Sequence, residues 1–94
     1  MDPRQVLIEP VVSEKSYALM ADGKYTFRVD DRAHKIEVRQ AIEDLFDVTV
    51  TDVRMLSVPG KPKRRGASKG RRPGYKKAIV ELKPGDRIEL FEGA

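Results

Sequence analysis

The sequence predicts an α+β domain: a small, largely antiparallel sheet with helices packed on it, in the order β-α-β-α-β-β. Three observations carry that prediction. Residues Lys24 to Asp30 alternate with a period of two, Lys35 to Leu45 switch to a helical period, and a long basic stretch is flanked on both sides by strand-like sequence. Strands and helices interleaved this way, with the last two strands consecutive, make helices covering one small sheet. Ninety-four residues suffice for one such domain, 1–94, with a single modest core.

Residues Gln5 to Val12 supply a short edge strand through Val6, Leu7, Ile8, Val11 and Val12, interrupted at Pro10. Ser13 reads as an N-cap, its hydroxyl placed to accept from the free amides of the next turn, and Glu14 takes the first helical position, where the dipole favours a negative charge. Val12 and Tyr17 fall at the staple positions around that cap. This helix runs to about Ala21 and stops at Asp22-Gly23, with Gly23 left-handed. Roughly two turns are too few for independent stability, so Tyr17, Leu19 or Met20 must pack on something else.

The KYTFRVD strand places Tyr25, Phe27 and Val29 on one face and Lys24, Thr26, Arg28 and Asp30 on the other. From Lys35, Val38, Ala41, Ile42 and Leu45 form the apolar stripe of a second helix, with Arg39 and Glu43 able to pair across one turn. His34 sits at its N-cap with Glu37 three residues on. Ile36 and Phe46 fall off the stripe, and Phe46, beside Asp47, is expected at the surface. Val48 to Val58 is the next strand region. Its apolar phase slips after Val50, as a bulge would require, and again at Leu56 and Val58. Tyr75 to Lys83, with Ala78, Val80 and Leu82 on one face, is its antiparallel partner. Pro84-Gly85-Asp86 then turns the chain into a final apolar segment, Arg87 to Phe91.

Between the last two strands lies VPGKPKRRGASKGRRPGYKKA. From Asp52 to Glu81 no acidic residue intervenes, yet ten cations do: Arg54, Lys61, Lys63, Arg64, Arg65, Lys69, Arg71, Arg72, Lys76 and Lys77. The other nine Lys and Arg face all fifteen Asp and Glu, so a net charge of +4 conceals a basic arm on a body six charges negative. That asymmetry suits a polyanion partner. Residues 59–77 are read as a basic hairpin extension, and a loop this long inside a small domain is functional or disordered more often than a plain connection. Gly66 to Arg72 has little apolar or steric constraint, so the arm is expected to order only on its partner. Arginines can fork two bonds to a phosphate, and Tyr75 can stack on a base.

The composition excludes much else. No cysteine is present, which removes disulfides, thiolate metal sites and Cys nucleophiles, and a single His cannot make a metal cluster. No metal, cofactor or catalytic residue is assigned. Gly66-Ala67-Ser68-Lys69-Gly70 fails as a phosphate-binding loop, because its glycine spacing is one short and it does not join a parallel strand to a helix. Carboxylates Asp30-Asp31 and Glu43-Asp44 lie at a turn or on a wet helix face, so no convergent catalytic set can be assembled, and the chain reads as a non-enzyme. No signal-peptide core or membrane span is visible. There is no base-reading helix and no aromatic pair on adjacent strands, which favours folded RNA over a DNA major groove.

The runs VSEKS at 12–16, HKIEVRQAIEDLFDV at 34–48 and PGKPKRRGASKGRRPGYKKAIVELKPGD resemble the bacterial form of the universal large-subunit ribosomal protein family L twenty-three. The resemblance spans essentially the whole chain. It implies a cytoplasmic ribosomal constituent that binds large-subunit rRNA beside neighbouring ribosomal proteins, at the rim of the polypeptide exit tunnel. It further implies a hairpin whose tip nears the nascent chain, and a docking surface for trigger factor and the signal recognition particle. The rRNA-binding residues are then the ten cations with Tyr75 already read from charge and aromatic character, and by the resemblance the chaperone-docking residues are Ser13, Glu14, Phe46 and Asp47. Asp47 stands where many relatives have Glu, and Tyr75 where some have Trp. Two rival classes use the same cations: an architectural DNA-binding protein, which the acidic body disfavours, and a peripheral protein on anionic membranes. The arm has no Leu, Ile, Phe or Trp to anchor the latter.

Overall fold

The computed structural model describes residues 2–60 and 74–89. Its elements are α1 (Pro3–Val6), β1 (Leu7–Pro10), α2 (Glu14–Met20), β2 (Lys24–Val29), α3 (Lys35–Phe46), β3 (Val50–Val58) and β4 (Tyr75–Leu82). The strands form one antiparallel sheet in the order β1-β2-β4-β3. The α+β class, both longer helices and the pairing of the last two strands agree with the sequence reading. The expected projection and ordering of the basic arm fall mostly on 61–73, outside the described residues.

Antiparallel register fixes which residues share a face. Tyr25 opposes Val80 and Val80 opposes Val53, while Phe27 opposes Ala78 and Ala78 opposes Met55. With Val29, these line the inner face, on which α3 lays Val38, Ala41 and Ile42. Val6, Ala33, Val50, Leu82 and Ile88 complete that core. Full burial of a Val, Leu or Ile side chain stabilises by about 1.5–3 kcal/mol, so this layer dominates the fold.

α1 is an element the periodicity did not predict. Asp2 caps it, its Oδ1 accepting from Arg4 N at 2.9 Å, and Pro3 opens it without an amide to leave unpaired. Its one turn brings Val6 to 1% exposure against the core that α3 covers.

Two expectations for α3 are corrected. Leu45 is 44% exposed, whereas Phe46 is half-buried, packs on the core and sets its ring 5.9 Å from that of Phe27. The reason is geometric: Phe46 lies four residues after Ile42 and eight after Val38, so the helical period carries it to the border of the stripe that faces the sheet. In β3 the slip after Val50 is a real irregularity, between Val50 and Asp52. There is no second slip. Leu56 and Val58 keep register with Lys77 and Tyr75 and lie on the outer face. The staple residues Val12 and Tyr17 are both more than half exposed, so α2 is seated instead through Ser16, Leu19 and Met20.

Gly23 takes φ +75° as expected, and its carbonyl accepts from Leu82 N at 3.0 Å, tying the end of α2 to β4. At the other end, Thr49 N donates to Asp86 Oδ2 at 2.7 Å and Lys83 N to Thr49 O at 2.9 Å. These bonds hold the segment after β4 so that Ile88 is buried.

Candidate nucleic-acid interface and docking face

β3 and β4 are the limbs that carry the basic segment. Their last described pair is Val58 opposite Tyr75. Gly74 passes so close to the Val58 carbonyl oxygen that a Cβ there would collide with it, and backbone of Pro59 and Gly60 lies just beyond. Only glycine fits that crossing, which fixes where the segment leaves the sheet.

Register divides the cations of the limbs. Arg54, opposite Ile79, and Lys77, opposite Leu56 and Arg28, lie on the outer face. Lys76, opposite Ser57 and Val29, lies on the inner one. Its ammonium donates to the carbonyls of Asp31 and Ala33, both at 3.1 Å, and so clamps the β2–α3 loop. Among the described residues, Arg54 and Lys77 have no ion-pair or side-chain hydrogen-bond partner. Tyr75 is half-buried, with the Arg28 guanidinium carbon 5.0 Å from its ring centre, so one face of the ring is already covered by a cation. Arg28 also lies 3.8 Å from Glu9 across β1. Lys61, Lys63, Arg64, Arg65, Lys69, Arg71 and Arg72 lie outside the described residues.

The outer face is graded in charge along its strands. At the end near Gly23, Lys24, Glu81 and Asp52 form one row. Next come Thr26, Ile79 and Arg54, then Arg28, Lys77 and Leu56, and last Tyr75 and Val58. On β3 and β4 the cations therefore lie toward the basic segment, while on β1 Glu9 opposes Arg28. Arg28, which the sequence reading left unassigned, belongs to this row. The alternation of KYTFRVD puts it on the polar face, but only the β2–β4 register brings it beside Lys77.

The four residues expected to dock a chaperone sit at two helix ends. Ser13 and Ser16 cap α2 reciprocally: Ser13 N donates to Ser16 Oγ at 2.8 Å, and Ser16 N to Ser13 Oγ at 3.2 Å. Glu14 follows on the exposed first turn. Phe46 and exposed Asp47 close α3. Phe46 thus holds a core contact, which the sequence reading did not give it.

Three carboxylates, one just after β2 and two on α3, are engaged. Asp30 accepts from Arg32 Nε at 3.1 Å and from Arg32 N at 2.8 Å, and chiefly the side-chain bond from Arg32 holds its carboxyl below the ordinary value. Glu37 is likewise lowered, chiefly because the His34 backbone N–H donates to it at 3.1 Å. Glu43 accepts from Val50 N at 3.0 Å and lies 3.8 Å from Arg39, the one-turn pair expected from spacing. Among the described residues no group of three potential ligands could hold a metal ion, and no helix is long and apolar enough to cross a membrane.

Residues 5–90 match the family described as ribosomal protein L23. The large ribosomal subunit protein uL23 of Pelotomaculum thermopropionicum is 53% identical over 92 residues, covering 98% of this chain and 97% of that one. Its counterpart in Desulfitobacterium hafniense (strain DSM 10664 / DCB-2) is 54% identical over 92 residues, with the same coverage of both chains. That of Roseiflexus castenholzii is 49% identical over 94 residues and covers the whole of each chain. Matches of this extent, on a fold whose strands, helices and basic limbs follow the expected order, show that the chain belongs to the ribosomal protein L23 family.

Proposed function

We propose that this chain is a structural constituent of the large ribosomal subunit, in the cytoplasm, and binds large-subunit rRNA through the basic segment 59–77 and the adjoining outer face. The observation that carries this is the placement of ten cations, with no intervening acid, on and between the two paired strands β3 and β4. The sheet supplies a rigid mount, so a phosphate backbone meets cations at a fixed origin instead of on a free tail. Relatives named as large-subunit proteins support the assignment. At the finer level the reading sets the protein beside neighbouring ribosomal proteins at the exit tunnel, with residues 59–77 directed toward the nascent chain. Ser13, Glu14, Phe46 and Asp47 form the docking face for trigger factor and the signal recognition particle. Exposed carboxylates at Glu14 and Asp47 fit a basic partner loop.

Sedimentation of the tagged chain from cell extract at physiological salt tests the ribosomal role, since the protein must travel with the large subunit. Binding to isolated large-subunit rRNA tests the mode. If phosphate neutralisation dominates, each contact contributes roughly 0.7 to 0.9 to the slope of log affinity against log salt. Replacing Arg64, Arg65, Arg71 and Arg72 by Gln together should flatten the slope by about three. An unchanged slope would place the contact elsewhere on the domain.

A further inference from the structure

α2 crosses the outer face of the sheet without sealing it. Between the helix and strands β2, β4 and β3 remains a groove of about 310 Å³, floored by Thr26, Ile79 and Leu56 and rimmed by Lys15, Arg54 and Lys77. That volume is near the low end of the roughly 300–1,000 Å³ usual for small-ligand sites. Two features set it apart from an ordinary surface crevice. Thr26 is 4% exposed, yet its hydroxyl oxygen is buried with no hydrogen-bond partner among the described residues. A buried hydroxyl left in that state is costly, so the site favours an occupant that supplies a polar atom. Moreover, no Asp or Glu lines the groove, and among the described residues its three rim cations have no ion-pair partner.

We propose that this groove seats a single unpaired nucleotide of the bound RNA. Its phosphate is held by Arg54 and Lys77, its base lies on Leu56 and Ile79, and Thr26 bonds a polar edge of the base or ribose. This rests on the RNA-binding reading above and adds a site which that reading does not require. Three arguments select a nucleotide. Cations at the rim and branched aliphatic side chains on the floor match a charged backbone carrying a flat, weakly polar base. Leu56, on the edge strand β3, keeps 36% of its surface exposed directly opposite Lys77 and two residues from Arg54, so an apolar surface stands between the two cations. Finally, the rows from Thr26 to Tyr75 lead without an acidic interruption on β3 and β4 to the basic segment, so one RNA strand can occupy both.

The test is methyl and amide NMR of the full chain titrated with a uridine tetranucleotide and, separately, with a hexaglutamate peptide. The tetranucleotide should shift the methyls of Thr26, Ile79 and Leu56, and the peptide should leave them in place. Arg54→Gln with Lys77→Gln should abolish those shifts. Thr26→Val, which removes only the unpartnered hydroxyl, should weaken tetranucleotide binding about two- to tenfold while leaving the melting temperature unchanged or raised. If only residues of the basic segment respond, the groove proposal is overturned while the RNA-binding reading stands. If nothing responds even to large-subunit rRNA, both fall. Equal shifts with hexaglutamate overturn the nucleotide assignment, leaving a site for acidic chains in general.

Discussion

The two faces of the one sheet differ in how completely their polar groups are satisfied. On the inner side, α1 and α3 close over aliphatic and aromatic side chains, and charged groups beside α3 have partners: Lys76 on two carbonyls, Glu37 on the His34 amide, Glu43 on the Val50 amide. The outer side holds both buried polar residues of the described chain, Ser16 and Thr26. It also holds Arg54 and Lys77, without ion-pair or side-chain hydrogen-bond partners among the described residues, near a helix of only seven residues. The inner side is organised for stability and the outer for encounter. A small domain can afford one such face because the other supplies the burial that holds it together.

Truncation on the two faces should break or confirm that division. Ile42, fully buried on the inner side, should cost about 2–5 kcal/mol as Ile42→Ala, through lost transfer energy and an uncollapsed cavity. Ile79 on the outer face is partly exposed, and Ile79→Ala should cost about 1 kcal/mol, since water or a relaxed α2 can fill the space. Urea melts of the two variants compare them directly. Equal losses would mean that α2 seals its face as tightly as α3 does.

At the end of α3 the contrast narrows to adjacent residues. Phe46→Ala removes a ring stacked near Phe27 and should cost about 2 kcal/mol, less than a fully buried Phe, whereas Leu45→Ala should stay within about 0.5 kcal/mol. Reversed magnitudes would restore the apolar stripe read from spacing. The prediction also sharpens the docking proposal. Chaperone affinity lost by Phe46→Ala must be judged against its own melting temperature, while Glu14→Ala should lower affinity with melting nearly unchanged.

Neighbouring lysines on β4 divide the same way. Lys76→Met gives up two carbonyl bonds across to the β2–α3 loop and should lose about 1–2 kcal/mol, whereas Lys77→Met should change stability by no more than about 0.5 kcal/mol. For RNA affinity the order should invert, with the loss falling on Lys77. A thermal melt and a binding isotherm on each variant decide it.

Most of the architecture was legible because its signals repeat. Tyr25, Phe27 and Val29 alternate over several residues, and Val38, Ala41 and Ile42 return each turn. Where a feature is shorter than one period, pattern fails: α1 has a single turn, and its only sequence signals are the Asp2 cap and Pro3 at the first position. Phe46 was misread because the stripe was drawn through Val38, Ala41, Ile42 and Leu45 alone, although Phe46 stands four residues after Ile42 and borders the same face. The cation-rich limbs were plain from charge alone. Which cations are engaged was not, since Lys76 and Lys77 are indistinguishable until register assigns them to opposite faces. Arg28 and Thr26 looked like ordinary polar-phase residues for the same reason.

The smallest expected effect concerns the acid limb of stability. Asp30 is depressed chiefly by its bond from the Arg32 side chain, and Glu37 chiefly by the His34 amide. A carboxyl whose folded pKa lies below its unfolded value binds protons more readily when unfolded, so it contributes stability that is fully present above the unfolded value, about 4 for both residue types. That contribution fades as pH falls through the lower folded value. Asp30→Asn should therefore lower the melting temperature slightly and by a constant amount between about pH 5 and 8, and the difference from the parent should shrink below about pH 4. Glu37→Gln should behave alike. These groups are solvent-accessible, so added salt should weaken the Arg32 part of the effect at Asp30 more than the neutral backbone bond at Glu37. A difference that grew on acidification would mean that the carboxyls are raised, not lowered, and that the bonds assigned to Asp30 and Glu37 do not hold them in their charged form.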